Sequence, residues 1–263
     1  MKIIVCIKQV PGSAEVKINS ETLTLDRTSA EAIINPFDEN AIEEAAQIAG
    51  KYENVVVSVL SMGPPSAEKA LKDALTFGFD EAYLLTDRAF AGADTLATAY
   101  TLSKAIEKIG DYDLILCGKQ AIDGDTAQVG PGIAENLNIP QVTNVRKIDL
   151  DLANRVATVE SELDDGYKII KVNLPALITV NKEINVPRIP SFKDARRALK
   201  IPIKKWGKDD LDLDQERIGM DGSPTTVVKV ETPKIEKHTI LLTGEPGQVA
   251  EKLIQKLITD HLI

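Results

Sequence analysis

The sequence predicts a doubly wound α/β fold: a mostly parallel sheet with helices on both faces, an antiparallel β extension, and an extended C-terminal arm ending in a helix. Three observations carry this. Four apolar runs in residues 1–117 are continuous rather than alternating, as strands covered on both faces are. Helical spacing follows each of them, the rhythm of βαβ units with right-handed crossovers. After residue 141 the pattern turns to apolar–polar alternation, and after 183 to proline and basic residues.

Ile3-Ile4-Val5-Cys6-Ile7 reads as the first buried strand. Asn35-Pro36 then opens a helix, pairing a capping residue with a proline suited to the first turn. Its core face is Ala41, Ile42, Ala45, Ala46 and Ile48, and Gly50 ends it. Val55–Leu60 is the second strand and Ser61–Pro65 a strand-to-helix turn. Ala67, Ala70, Leu71, Ala74 and Leu75 form the next helix face, with Gly78 at a left-handed cap. Ala82–Leu85 is a third strand. Asp94-Thr95 caps a helix carrying Leu96, Tyr100, Leu102, Ala105 and Ile106, closed by Gly110. Leu114–Cys117 is the fourth strand, and a helix over 128–137 stops near Pro140. Lys147–Leu152, Arg155–Ser161 and Lys168–Val172 alternate, with Asp164-Asp165-Gly166 as a hairpin turn. Leu177–Val180 rejoins the sheet. The last helix carries Val249, Leu253, Ile254, Leu257, Ile258 and Leu262.

The chain has 263 residues, 43% hydrophobic and 27% charged. At roughly 150 residues per domain, that is one full domain plus an appendage, divided here as 1–182 and 183–263. No apolar run approaches the ~20 residues of a membrane span, and no leader pattern follows Met1-Lys2. Cys6 and Cys117 sit inside apolar runs, which points to a reducing, cytoplasmic setting. A net charge of −9 with 4% aromatics speaks against a nucleic-acid binder.

Catalytic constellations are scarce. The two histidines, His238 and His261, read as solvated, the two cysteines as core residues, and no metal-ligand spacing is present. The segment Cys117–Gly132 stands out: it leaves a buried strand, opens a helix, and holds Gly118, Gly124, Gly130 and Gly132. Glycines admit close approach of backbone to a ligand, and helix N-termini favour anions. Thr126 and Gln128 suit phosphate or ribose, Asp123 and Asp125 hydroxyls. Alone, the segment fits an ordinary glycine-rich connection equally well. Two further turns at predicted strand ends, after Ile7 and at Met62–Pro65, favour a nucleotide crevice. Residues 182–205 hold eight Lys/Arg against two acids, with Phe192 among them as an exposed anchor for a protein partner.

Several motifs in order resemble the β subunit of electron transfer flavoprotein, over essentially the whole chain. They are Val5–Pro11, Asn35-Pro36-Phe37-Asp38, the 118–131 loop, Leu174–Thr179, Asn185-x-Pro187-Arg188 and Gly222-Ser223-Pro224-Thr225. The resemblance implies a Rossmann-like domain of the adenine-nucleotide-binding type and an arm that embraces an α subunit. It implies nucleotide contacts at Cys6, Asn35, Pro36, Phe37, Asp38 and Met62, and through the loop at Gly118, Lys119, Gln120, Ala121, Ile122, Asp123, Gly124, Asp125, Thr126, Ala127, Gln128 and Val129. Docking onto a redox partner falls to Phe192, where the family often has leucine, with Lys193, Arg196 and Arg197.

Asp87–Thr98, with Asp94 and Thr95, resembles the electron-bifurcating members, which hold a second FAD in β; conventional members hold AMP there. The bifurcating reading implies a hydride from NADH, with electrons passing to ferredoxin or flavodoxin and to an acyl-CoA dehydrogenase or reductase-type flavoenzyme. It needs no catalytic side chain, because the flavin carries the chemistry. A conventional AMP-holding subunit is the alternative, and a free adenine-nucleotide-binding protein a weaker one.

Overall fold

The structure, a computed structural model, describes residues 1–12, 17–18, 25–26, 32–228 and 239–263. His238 lies outside them. Two compact units are present, Met1–Thr226 and Val227–Ile263.

In chain order the first unit contains β1 (Lys2–Cys6), β2 (Gln9–Pro11), β3 (Lys17–Ile18), β4 (Leu25–Asp26), β5 (Ala32–Ile34), α1 (Pro36–Lys51), β6 (Val56–Met62), α2 (Glu68–Leu75) and β7 (Glu81–Leu85). It continues with α3 (Thr95–Ile109), β8 (Leu114–Gly118), α4 (Val129–Leu137), β9 (Gln141–Asp151), β10 (Val156–Leu163), β11 (Gly166–Asn173), β12 (Ala176–Val180), α5 (Phe192–Ala198) and β13 (Ile203–Trp206). Nine strands form one sheet in the order β11-β10-β9-β12-β8-β1-β6-β7-β13. From β9 to β13 every pairing is parallel, while β9, β10 and β11 form the antiparallel extension.

Successive strand residues point to opposite faces, and both faces are covered. Ile3 and Val5 of β1 join Val57, Val59, Leu114, Leu116 and Ile178 beneath α1 and α2. Ile4 and Cys6 join Leu60, Leu85, Ile115 and Cys117 beneath α3 and α4. This explains the unbroken apolar runs. Each fully buried Ile or Leu contributes about 1.5–3 kcal/mol. The chain winds outward from β1 through β6 to β7, then returns on the other side of β1 as β8. The switch point therefore lies between β1 and β8, where Cys6 and Cys117 stand opposite each other.

Several boundaries differ from the sequence reading for local reasons. The first helix passes Gly50 to Lys51. The fourth ends not at Pro140 but at Asn138, whose φ of 52° makes it the left-handed cap. β9 begins at Gln141 because its first half pairs with β12 before its second half pairs with β10. Two elements in the basic segment, α5 and β13, were hidden by prolines and charges; β13 completes the sheet edge beside β7.

The second unit contains α6 (Pro246–Thr259), on which Leu253, Ile254 and Ile258 are exposed, as is Leu262 beyond it. Among the described residues no helix is long and apolar enough to cross a membrane.

Candidate nucleotide site

The carboxyl ends of β1, β6 and β8 bring most of the sequence-predicted residues to one edge of the sheet. Cys6, Met62 and Gly118 end these three strands. Pro36, as the first residue of α1, starts the helix just above β8. Its neighbours Asn35 and Asp38 are the organising residues.

Asn35 is 1% exposed. Its Nδ2 donates to the Gln120 carbonyl at 2.8 Å, and its Oδ1 accepts from the Ile122 amide at 3.1 Å. One buried amide thus closes the Lys119–Gln128 loop from below, as a paired strand would. Asp38 is equally enclosed: Oδ2 accepts from the Lys8 amide at 2.7 Å and Oδ1 from the Gly118 amide at 3.2 Å. Burial pushes its carboxyl up to about 7, against the lowering effect of Asn35, these two amides and the Lys8 charge. Both side chains, expected as ligand contacts, bond the backbone that flanks the crevice.

The loop itself is braced from the outside. Lys8 Nζ donates to Asp123 Oδ1 at 2.7 Å, a contact sequence reasoning missed, although a lone cation just after β1 was its signal. Gln120 Nε2 donates to Asp125 Oδ1, and the Asp125 amide returns to the Ala121 carbonyl at 2.8 Å. Ala121 and Thr126 lie between these braces; Asp125 and Ala127 both take a left-handed φ of 54°.

The glycines divide by role. A Cβ on Gly118 would lie 2.3 Å from Asp38 Oδ1 and 2.7 Å from Phe37, on Gly130 2.6 Å from Thr179 Cγ2, and on Gly132 2.8 Å from the Ala99 Cβ. At these three the missing Cβ admits close packing of protein on protein. Of the four glycines in 118–132, Gly124 faces open space.

Asp94 and Thr95 also part company. Asp94 Oδ1 caps α3 through the amides of Leu96 and Ala97, at 2.9 and 3.1 Å. Its Oδ2 accepts from the Thr225 amide and hydroxyl, at 3.2 and 2.9 Å. Burial raises this carboxyl, but the bonds from Ala97, Thr225 and Leu96 outweigh it and hold Asp94 below the usual range. Thr95 turns to the loop instead: its hydroxyl donates to Gln128 Oε1 at 2.8 Å, so the start of α3 meets the start of α4. Beneath them, a hydrogen bond with Cys6, and then burial, keep the Cys117 thiol protonated.

The residues fit a phosphate-bearing nucleotide. The amides of Val129 and Gly130 precede the first bond of α4, from the Gly132 amide to the Gln128 carbonyl, and such helix-opening amides favour an anion. Gln128 immediately precedes them, and Thr126 and Lys119 belong to the same loop. Among the described residues no cluster of three or more His, Cys, Asp or Glu is arranged to hold a metal ion.

A family model described as the electron transfer flavoprotein domain matches residues 22–211. Over 264 residues, and the whole of both chains, the sequence is 52% identical to the electron transfer flavoprotein subunit beta of Thermoanaerobacterium thermosaccharolyticum. The chain belongs to the electron transfer flavoprotein beta-subunit family. It is also 44% identical, again over both full lengths, to subunit CarD of the caffeyl-CoA reductase–Etf complex of Acetobacterium woodii. Protein FixA of Azotobacter vinelandii is 44% identical across 99% of this chain and 96% of its own. Its role is therefore electron transfer, and beta subunits of this family work with an alpha subunit and a dehydrogenase or reductase.

The expected docking residues lie apart from the crevice, on α5, which packs beside α2. Phe192 is 86% exposed, and Lys193 and Arg196 are exposed with it. Arg197 turns back: its Nη1 donates to the Gly78 carbonyl at 2.7 Å and its Nη2 to Asp80 Oδ1 at 2.5 Å.

Proposed function

We propose that this beta subunit holds FAD at the β1–β8 crevice, and that with its alpha subunit it takes a hydride from NADH. The electron pair is divided between ferredoxin or flavodoxin and a high-potential flavin that serves an acyl-CoA dehydrogenase or reductase-type partner. FAD, when bound, supplies this chemistry, since it accepts an electron pair and releases electrons singly. The protein's part is placement. Asn35, Asp38 and Lys8 hold the Lys119–Gln128 loop, and the start of α4 with Thr126 and Gln128 faces the phosphates. The arm and α6, from residue 183 onward, pack on the alpha subunit, and Phe192 with Lys193 and Arg196 meets the partner enzyme. The setting is cytoplasmic.

The observation that carries the FAD reading is the Thr95–Gln128 hydrogen bond. It joins the Asp87–Thr98 segment to the Lys119–Gln128 loop, so that both segments can serve one ligand. Identity with CarD, a subunit of a reductase–Etf complex, supports the same reading. The second reading, structural AMP in this chain with the FAD only in the alpha subunit, draws support from the tight Asn35 brace, which suits a small nucleotide. Releasing the ligands of the purified heterodimer and quantifying them separates the two. Two FAD and negligible AMP per heterodimer is the expected result; one FAD and one AMP rejects it.

A further inference from the structure

Segment 185–199 is tied to the rest of the first unit at two separate places. At its start, Asn185 Nδ2 donates to the Asn40 carbonyl and to Glu44 Oε2, both at 3.1 Å. Asn40 Nδ2 returns a bond to the Asn185 carbonyl at 3.0 Å. Arg188 then forks onto Glu43: Nη2 donates to Oε1 at 2.8 Å, and Nε to Oε2 at 2.8 Å. The Arg188 amide also donates to Oε2, at 3.1 Å. The Glu43 side chain is only 4% exposed. Burial raises its carboxyl, but the Arg188 and Gln47 hydrogen bonds outweigh this and keep it ionised. At the other end, Arg197 holds Asp80 and Gly78 on the turn between α2 and β7.

Between the two anchors Val186, Ile189 and Phe192 are 86%, 93% and 86% exposed. An apolar loop free to move folds such side chains down onto the nearest surface. This one is held by two charge-assisted pairs, the stronger kind of hydrogen bond. The upper anchor sits on α1, whose first turn carries Asp38 against the end of β8. One helix therefore registers the segment against the nucleotide crevice.

We propose that Glu43 and Asp80 are positioning residues for partner docking: through Arg188 and Arg197 they hold segment 185–199 so that Phe192 is presented in one orientation to the acyl-CoA dehydrogenase-type partner. This rests on the docking role given to Phe192 above. A segment ordered before encounter loses little further freedom on binding, so its contacts appear as affinity rather than being consumed in ordering.

The test uses the holo heterodimer and a purified short-chain acyl-CoA dehydrogenase that the wild-type complex reduces. Glu43→Gln raises the KM for the dehydrogenase about tenfold, the cost of re-ordering one or two side chains, with kcat and bound flavin unchanged. Arg188→Lys, which keeps the charge but not the fork, falls between. Phe192→Ala raises KM by itself, and adding Glu43→Gln to it changes nothing further, because the two act through one contact. An unchanged KM in Glu43→Gln beside a raised one in Phe192→Ala overturns the positioning role and leaves the docking reading standing. An unchanged KM in Phe192→Ala overturns both. If Glu43→Gln loses its fold or flavin, Asp80→Asn at the distant anchor decides: a raised KM upholds the proposal and an unchanged one refutes it.

Discussion

Replacing Asn35 by alanine removes the side chain that closes the Lys119–Gln128 loop from below. The Gln120 carbonyl and the Ile122 amide then lose partners at 2.8 and 3.1 Å. A fully buried polar group left unpaired costs about 1–3 kcal/mol. The loop is half-exposed, so water reaches both groups and the lower end applies, about 1 kcal/mol each. A total near 2 kcal/mol shifts the closed-to-open ratio of the loop roughly 30-fold, at 1.36 kcal/mol per decade. For a loop that is open in the free heterodimer and closes on the nucleotide, affinity falls by the same factor. Titration calorimetry of the stripped complex with FAD and with AMP measures it, and hydrogen exchange at the Ile122 amide reports the loop directly. Faster exchange at Ile122 with affinity within threefold of wild type would refute the loop's role in binding. Unchanged exchange would refute the brace itself.

Three further outcomes follow from the same geometry. Burial raises the Asp38 carboxyl from 3.8 to about 7, so the folded protein holds this proton more tightly than the unfolded chain. That contribution is complete below about pH 4 and is lost as pH rises through 7, a change of at most about 4 kcal/mol; urea midpoints across pH 4–8 carry this slope in the wild type and lose it in Asp38→Asn. Gly130→Ala sets a Cβ 2.6 Å from Thr179 Cγ2, and overpacking of this kind costs about 1–3 kcal/mol, read as a lower Tm. Asp94→Ala removes the α3 cap and the hold on Thr225; it costs about 1–2 kcal/mol and speeds tryptic cleavage after Arg217.

The amino-acid order by itself determined the layered core. Ile3 to Cys6 and Leu114 to Cys117 are apolar without interruption, and Val57 to Leu60 is broken only by the buried Ser58, because helices cover both faces of their strands. The crevice was legible for a related reason: connections that leave the ends of parallel strands must turn sharply, so glycine, proline and capping residues gather there. The family motifs lie along the same turns.

Only the tertiary structure decided what those turn residues touch. Asn35 and Gln120 are 85 positions apart, Asp38 and Gly118 80 apart, and Glu43 and Arg188 145 apart. A hydrogen-bonding side chain looks the same in sequence whether its partner is a ligand or a distant amide. Asn35, Asp38 and Asp94 therefore read as ligand contacts, and the bonds they make to distant backbone were invisible, as was the close packing around Gly130 and Gly132. β13 stayed hidden because an edge strand buries little, and Ile203–Trp206 needs only the backbone of β7 to pair. Periodicity records burial against a face; it carries no record of which long-range partner a polar group finds, since that depends on how the sheet is wound.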